Sequence, residues 1–393
     1  MRGARLVQAS MAMAMAMAVA AVPGRARAEA VEPIDNEHYT LRAEAGAEFD
    51  SNAHRTEQIR NTQLPPETRS FLQRFVLSSH YSDVAAPGHV VAWSATAAGK
   101  VFDAADARSE NVAIAQSTLA WRAAVGRGMW LTPAGAYYEA FQGPDVVPAE
   151  RRDFRSIAPS LELRAPINDR FDIGIAGGYR WLVFKPNRDF DFNGPTGAVN
   201  LRWGLPSEAA ADWDAGLSAA IENRRFAGHA LVSPCEPPSP NGLPCLGPSR
   251  RIDNLIMTRL DVTRTGRVLA GVGYAFHYNA SNSVGETVIR HFASARFASA
   301  LPWRLYVAAR ADLLFAFYSE RVAVGAPTAP GSPYATIEDE NRSSARIDVS
   351  RDIGERWRIF TRYTFYANEL GANSPLTYRR HTLLLSAAYS LEK

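Results

Sequence analysis

The sequence predicts an all-β fold, a transmembrane antiparallel up-and-down β-barrel of about 16 strands (14–18). Three observations lead to this fold class. Runs of roughly 10 to 15 residues alternate apolar and polar side chains, the connections between them alternate in length, and tryptophans group at one end of the runs. Helical membrane proteins are excluded, because after residue 28 no stretch approaches the roughly 18 unbroken apolar residues of a spanning helix.

Residues 1–28 are predicted to be a cleaved export signal. Arg2 and Arg5 form a charged start, residues 11–22 form a short apolar core, and residues 26–28 (Ala-Arg-Ala) form a small-x-small cleavage site. The apolar core is shorter than the roughly 20 residues that a membrane anchor needs. We therefore expect the segment to be removed on export.

The mature chain is expected to start at Glu29, with a short periplasmic segment over residues 29–38 and a single barrel domain over residues 39–393. Loss of the four arginines in the export signal changes the formal net charge from +3 to −1. A dedicated nucleic-acid binder normally carries a net basic patch or stripe. No nucleic-acid partner is therefore expected.

The mature sequence consists of successive amphipathic runs. In residues 343–350, Ala345, Ile347 and Val349 alternate with polar side chains, the period of two that is typical of a strand with one apolar face. Soluble β-sandwiches alternate too, but their strands cluster near about 5–6 residues, whereas a tilted strand that crosses a bilayer needs roughly 9–11. The predicted strands are 39–50, 70–82, 89–102, 111–125, 129–141, 154–165, 170–184, 191–203, 212–227, 251–265, 267–279, 286–299, 303–319, 343–352, 355–367 and 378–391.

The connections between these runs alternate in length. Long connections follow odd-numbered strands, at 51–69, 142–153, 228–250, 320–342 and 368–377. Short connections follow even-numbered strands, at 126–128, 166–169, 266, 300–302 and 353–354. A barrel whose chain starts in the periplasm, with short periplasmic turns and long outer loops, has this order.

Tryptophan placement independently indicates a membrane boundary. Trp93 lies near a predicted short turn and Trp181 lies toward the other end of the strands. Indole rings favour the boundary between lipid and water. The tryptophans at strand ends beside short turns are Trp121, Trp130, Trp203, Trp213, Trp303 and Trp357.

The last predicted strand carries a further signal. Its apolar face consists of Leu383, Leu385, Ala387, Tyr389 and Leu391. This ending resembles the C-terminal targeting strand of bacterial outer-membrane β-barrel proteins, although their final residue is aromatic and here it is Leu391, followed by two more residues. The resemblance is to a class with porin-like architecture. It implies the outer membrane of a Gram-negative cell and insertion by the barrel-assembly machinery.

If the apolar faces meet lipid, the interior face collects more arginines than carboxylates. Guanidinium groups pair with carboxylate, phosphate or sulfate, so an open interior would conduct anions or an acidic polysaccharide. Alternatively, these charges neutralise one another in ion pairs that stiffen the wall. The predicted pore-lining residues are Arg122, Arg164, Arg180, Arg202, Glu222, Arg259, Asp261, Arg304, Arg310, Asp312, Arg346, Asp348, Arg358 and Arg362, and the same face carries Arg42, Arg380, Glu44, Glu48, Glu162, Asp172 and Asp214.

Cys235 and Cys245 lie in a proline-rich segment between two predicted strands. An exported protein meets an oxidising compartment, so we predict a disulfide that closes this outer loop. Metal binding would need further ligands, and only His229 is close in sequence. No metal or cofactor is expected.

No enzyme activity is predicted. The sequence lacks Gly-x-Ser-x-Gly, His-Glu-x-x-His, Gly-x-Gly-x-x-Gly and phosphate-loop motifs. His277 and Ser281 faintly resemble the His and Ser of outer-membrane lipid A deacylases, but that pair is two positions apart and this one four. Both are expected to lie at the outer rim.

Three functions fit this architecture. The main prediction is a porin-like channel for small hydrophilic, including anionic, solutes. One alternative is an outer-membrane secretion port for an exopolysaccharide, similar in plan to the barrels that end alginate or cellulose export, with a periplasmic export partner. The other is a non-transporting surface scaffold or adhesin. In each case outer-membrane lipid and lipopolysaccharide surround the barrel.

Overall fold

In a computed structural model, the protein is described over residues 38–54, 58–59, 68–126, 128–143, 153–185, 187–205, 212–235, 244–319, 343–368 and 376–392. The predicted export signal and residues 29–37 lie outside these ranges. The long strands are β1 His38–Asp50, β2 Ser70–Ala86, β3 His89–Phe102, β4 Val112–Gly126, β5 Met129–Gln142, β6 Phe154–Asn168, β7 Phe171–Phe184, β8 Phe192–Leu205, β9 Asp212–Val232, β10 Cys245–Thr265, β11 Val268–Ser281, β12 Val288–Leu301, β13 Leu305–Tyr318, β14 Ser343–Ile353, β15 Trp357–Asn368 and β16 Leu376–Glu392. Short 3-10 turns lie at Asp106–Glu110, Arg188–Phe190 and Pro302–Arg304. None of the described helical segments has the length and apolarity to span a membrane.

Each long strand pairs antiparallel with its neighbours in the chain, and β1 pairs with β16, so the sheet closes on itself. In the closing pair, Leu41 lies opposite Leu391 and Asp50 opposite Thr382. A two-residue strand, Gln58–Ile59, adds to the start of β16. Closure satisfies the backbone groups of every edge, as a sheet in lipid requires. The predicted up-and-down barrel is confirmed.

The predicted strands match β1–β16 one to one, and the differences lie at their ends. Strand β9 continues to Val232 and β10 starts at Cys245, so both extend several residues beyond the predicted ends. The pairing shifts register on both sides of His229. Because a bulge interrupts the period of two, the alternating pattern ends before the backbone pairing does.

The two ends of the barrel differ in the length of their connections, as predicted. We call them the short-turn end and the long-loop end. The first strand starts and the last strand ends at the short-turn end, where Thr40 lies opposite Glu392. Gly88 and Gly354 take positive φ values of 76° and 72° in two of the short turns, a conformation that glycine adopts without strain.

The faces of the strands are also as predicted, with apolar side chains outward and charged side chains inward. On β6, Leu161 is 49% exposed on the outer face, whereas Glu162 pairs with Arg164 on the inner face. Across the barrel the exposed side chains include Ile175, Leu217 and Leu385, while Glu48 and Glu222 are buried. This is the reverse of a water-soluble fold, in which large apolar side chains fill the interior.

Most tryptophans lie where the sequence places them. Trp121, Trp203, Trp213 and Trp357 are exposed on the outer face near the short-turn end, as the boundary position requires. Trp130 is an exception. It lies opposite Arg164 in the β5–β6 register and therefore shares the inner face.

The predicted start of β13 is wrong. Trp303 and Arg304 were expected to begin this strand, with Arg304 facing the interior, but both lie in a short turn with φ values of 62° and 57°. Left-handed backbone does not pair in a sheet, so the strand starts at Leu305. Arg304 is exposed in that turn and is not part of the strand.

The predicted disulfide between Cys235 and Cys245 is present, with a Cα–Cα distance of 5.8 Å. It joins the end of β9 to the start of β10, at the long-loop end. Residues 236–243, between the two cysteines, lie outside the described residues, as does the proline-rich segment 325–333.

Candidate functional site in the barrel interior

The interior charges are organised by the period of the strands. Residues two apart on a strand share a face and lie about 6.5 Å apart, within reach of an arginine and a carboxylate. The structure repeats this arrangement on seven pairs: Arg42–Glu44, Arg164–Glu162, Arg224–Glu222, Arg251–Asp253, Arg259–Asp261, Arg310–Asp312 and Arg346–Asp348. Much of the predicted arginine-rich face is therefore paired locally.

Cross-strand contacts join these pairs into networks. Asp348 accepts hydrogen bonds from Arg346 on its own strand and from Arg362 on β15, both at 2.6 Å. Glu222 likewise lies between Arg224, at 2.9 Å, and Arg180, at 3.5 Å. The interior charges of these residues are therefore neutralised in ion pairs, whereas the stiffening of the wall stays a prediction.

The remaining predicted pore-lining residues that lie in strands, Arg122, Arg202 and Arg358, are on the inner face. Arg358 pairs with Asp352 at 2.6 Å, and Arg202 lies opposite Asp172 in the β7–β8 register. Arg122 lies over the ring of Trp130, with its guanidinium carbon 5.8 Å from the ring centre. These positions follow from the strand period alone.

Several interior charged residues were missed by the sequence analysis. In β2, Arg74 lies between Leu72 and Val76 on the same face, so the local pattern reads as apolar. Arg224 lies two residues from Glu222 on β9 and therefore on the same inner face, so the period of two would have identified it. The missed residues are Asp50, Arg74, Lys100, Arg224, Arg251, Asp253, Arg290, Arg296 and Asp352.

The half of the interior near the long loops is closely packed. Arg251 lies between Asp253 and Glu286, with donor–acceptor distances of 2.6 and 2.8 Å. Arg380 Nε donates to Asp50 at 2.8 Å, and both side chains are buried. These ion pairs in the long-loop half are therefore shielded from water.

An apolar cluster, which the sequence analysis did not predict, lies on the inner face at the same level. It crosses β3–β9 and consists of Ala98, Val112, Ile114, Ala140, Phe154, Leu182, Phe184, Phe190, Phe192 and Phe226. Two guanidinium groups stack against its edge, that of Arg251 over Phe226 at 4.3 Å and that of Arg224 over Phe192 at 5.3 Å. Apolar and charged side chains therefore share the inner face at this level.

Three arginines in this half each keep one buried hydrogen-bond donor without a partner among the described residues. The Nε atoms of Arg180, Arg224 and Arg290 have no hydrogen-bond partner among the described residues, and neither has Nδ1 of His277. Arg224 and Arg290 are 1% and 2% exposed, and Glu222 lies between Arg224 and Arg180. Buried donors are normally paired, so this cationic cluster is a candidate site for an anion.

The half near the short turns is open to solvent. The side chains of Arg310 and Asp312 are 63% and 31% exposed although they face inward. Arg259 and Arg358 are similarly half-exposed. Water therefore reaches the interior from this end.

The faint enzyme-like pair does not form a catalytic arrangement. His277 and Ser281 share the inner face of β11, but Ser281 Oγ donates to Asp253 at 2.6 Å and makes no hydrogen bond with His277. His277 is buried rather than placed at the exposed rim, which corrects that expectation. Among the described residues, no group of three or more His, Cys, Asp and Glu side chains is arranged to hold a metal ion.

The sequence matches no protein-family model and no curated protein. Solved structures similar to the chain are outer-membrane barrels of low sequence identity. They include a bacterial polysaccharide outer membrane secretin (8% identity, TM-score 0.42, covering 90% of this chain and 98% of that chain). The outer membrane protein OpdK from Pseudomonas aeruginosa has 9% identity and a TM-score of 0.44, covering 91% and 99%. OccAB4 from Acinetobacter baumannii has 7% identity and a TM-score of 0.45, covering 91% and 98%.

Proposed function

We propose that the protein is an outer-membrane channel that passes small hydrophilic solutes and favours anions. The closed barrel, its apolar outer face and its charged inner face together support a water-filled passage through a bilayer. Insertion by the barrel-assembly machinery is part of this proposal, and the alternating face of β16 supports it.

The observation that carries the anion preference is the cationic cluster of Arg180, Arg224 and Arg290. Glu222 pairs with Arg224 and Arg180, but the Nε–H donors of all three arginines have no partner among the described residues. A passing carboxylate or phosphate would accept these donors. A cation would meet repulsion at the same level.

The proposal is tested by conductance and reversal potential in planar bilayers. The parent protein should conduct, and its reversal potential should show that anions permeate better than cations. Arg224→Gln with Arg290→Gln should reduce that preference, whereas Arg264→Gln, on the outward face of β10, should leave it unchanged. Heat-modifiable mobility on gels checks that each variant folds.

Each alternative outcome has a defined meaning. A folded parent without conductance would support the surface scaffold and refute the channel. Conductance without anion preference would retain the channel and refute the role of the cationic cluster. Block of the current by an acidic polysaccharide added on the short-turn side, together with its passage, would favour the export port.

A further inference from the structure

A basic cavity lies on the outer wall of the barrel, on the face away from the interior charges. On β9 the outward face is apolar from Trp213 through Leu217 to Ile221, and these side chains are exposed. Beyond Ile221 the same face carries Asn223 and Arg225. The chemistry of the outer wall therefore changes along a single strand.

The change occurs at the level expected for the edge of a bilayer. Trp213 marks the boundary at the short-turn end, and Arg225 lies about twelve residues farther along. At a rise of roughly 3.4 Å per residue and a strand tilt of about 40°, this separation corresponds to roughly 30 Å across the membrane. An apolar band of about 25 Å would end just before Arg225.

Cross-strand pairing brings further outward side chains to Arg225. Trp181 on β7 lies opposite Asn193 on β8, which lies opposite Arg225. Arg225 in turn lies opposite Ile252 on β10. These residues, together with Arg250, line a cavity of about 430 Å³.

Three arginines line the cavity. Arg251 is paired with Asp253 and Glu286 on the inner face, whereas Arg225 and Arg250 are available to a ligand. Both are exposed, and neither forms an ion pair with a described residue. Arg225 Nε donates to Asn223 Oδ1 at 3.1 Å, which orients the guanidinium, and its terminal nitrogens have no partner among the described residues. Asn193 Oδ1 accepts from Tyr179, so its amide nitrogen also remains a donor.

One carboxylate, Asp191, shares the cavity. Its Oδ1 accepts the backbone N–H of Phe184 at 2.6 Å, so the group is turned toward the wall. Burial raises the pKa of Asp191 above its ordinary value. Two exposed guanidinium groups against one wall-bound carboxylate leave the cavity positive.

The basic surface continues beside the cavity and does not surround the barrel. On the outward face of β5–β7, Arg155 and Lys185 both bond to Glu139, at 3.0 and 2.7 Å. The outward positions of β11–β13 carry aromatic residues instead, including His291, whose Nδ1 lies 2.7 Å from the Tyr274 hydroxyl. Within these three strands, no Arg or Lys faces outward.

We propose that this outer-wall cavity binds a phosphate group on the headgroup of a phosphorylated glycolipid in the surrounding leaflet. The arginines offer forked donors that match a phosphate. Asn193 offers its amide nitrogen to a sugar hydroxyl, and Trp181 lies at the boundary level that indoles favour. The apolar surface below them accommodates the acyl chains. This inference requires that the barrel lies in a membrane but does not depend on conduction.

Binding is tested on the purified, delipidated barrel by native mass spectrometry. The probes are diphosphoryl lipid A, its dephosphorylated form, and inorganic phosphate. The parent should favour the diphosphoryl lipid by at least about tenfold, since charge-assisted hydrogen bonds are the strong ones. Arg225→Gln with Arg250→Gln should abolish that preference. Arg264→Gln, outward on the same strand as Arg250 but at the short-turn end, should retain it.

Three outcomes of the binding experiment would contradict or limit the proposal. Equal affinity of the parent for the two lipids, or full preference in the double glutamine variant, would refute the site. Inorganic phosphate binding as tightly as the lipid would mean a free-anion site rather than a lipid site. If the glutamine variant does not fold, Arg225→Lys with Arg250→Lys replaces it. This variant keeps the charge but loses the bidentate guanidinium geometry, and it should show an intermediate preference.

Discussion

The two halves of the barrel interior use the same ion-pair motif in different surroundings. In the long-loop half, the side chains of Arg251 and Asp253 are 7% and 0% exposed. In the short-turn half, those of Arg310 and Asp312 are 63% and 31% exposed. Each pair is an arginine and an aspartate two residues apart on one strand. Strand geometry sets the contact in both cases, but burial sets its energetic value.

Because of this difference, the ion pairs of the long-loop half stabilise the fold, whereas those of the short-turn half are open to solvent. An exposed pair is worth about 0–1 kcal/mol, because water and salt screen it and both side chains lose freedom. Removing one partner of a buried pair costs about 3–5 kcal/mol, because a charge is left without compensation. We therefore expect the long-loop half to be rigid and the short-turn half to tolerate substitution.

The largest expected effect is that of Asp253→Ala. This change removes a partner of buried Arg251 and an acceptor for Asn279 and Ser281. We expect the free energy of unfolding to fall by about 3–5 kcal/mol. Urea titration of the barrel in lipid vesicles, followed by tryptophan fluorescence, measures it. A loss below about 1 kcal/mol would show that the long-loop half is not the rigid level.

The next effect separates the two faces of β6. Leu161→Arg places a charge in lipid and should cost roughly 2–4 kcal/mol, whereas Ser160→Arg enters the open interior and should be tolerated. Heat-modifiable mobility on gels reports barrel folding for both variants. Because a slip of one residue exchanges the faces, equal tolerance would contradict the register.

A third effect concerns the electrostatic potential in the short-turn half of the interior. Arg310→Glu with Arg346→Glu should shift the reversal potential toward cations at low salt. Because screening shortens to roughly 3 Å at 1 M, the shift should fade there, while the effect of Arg224→Gln with Arg290→Gln in the buried half should persist. Reversal potentials at 0.1 M and 1 M salt measure both. Equal salt dependence would remove the distinction between the halves.

The smallest expected effect is that of Asp312→Ala, the counterpart of Asp253→Ala in the open half. The exposed pair with Arg310 should contribute no more than about 1 kcal/mol to the free energy of unfolding. The same urea titration applies. A loss as large as that of Asp253→Ala would mean that the exposure of the short-turn half does not control its energetics.

Much of the fold was predictable because each strand carries its own pattern. The period of two in β14, with Ile347 and Val349 outward and Arg346 and Asp348 inward, predicts both the strand and its orientation. The even number of long strands and the alternating connections predict that both ends of the barrel domain lie on the same side, as in bacterial outer-membrane barrels. The prediction was wrong where local backbone overrides the pattern, as in the left-handed turn at Trp303 and Arg304.

The interior was predictable only in part. The residues of the apolar cluster, including Phe192 and Phe226, lie on the same face of their strands as the charged residues. Because a polar interior was expected, this cluster was not predicted. Trp130 was placed at a strand end correctly, yet it faces Arg122 in the interior. The outer-wall cavity joins residues from four strands, so no single run in the sequence contains it.

The sequence by itself determined which face of each strand a side chain occupies, because that depends on a period of two within a short run. The tertiary structure alone decided which inward residues meet one another. Ser160 and Ser386 are both inward serines by parity, but Ser160 is exposed, whereas Ser386 is buried and donates to the backbone of Ala45 across the closing strand pair. Parity is a local property of the backbone, while burial depends on how the closed sheet brings distant strands together.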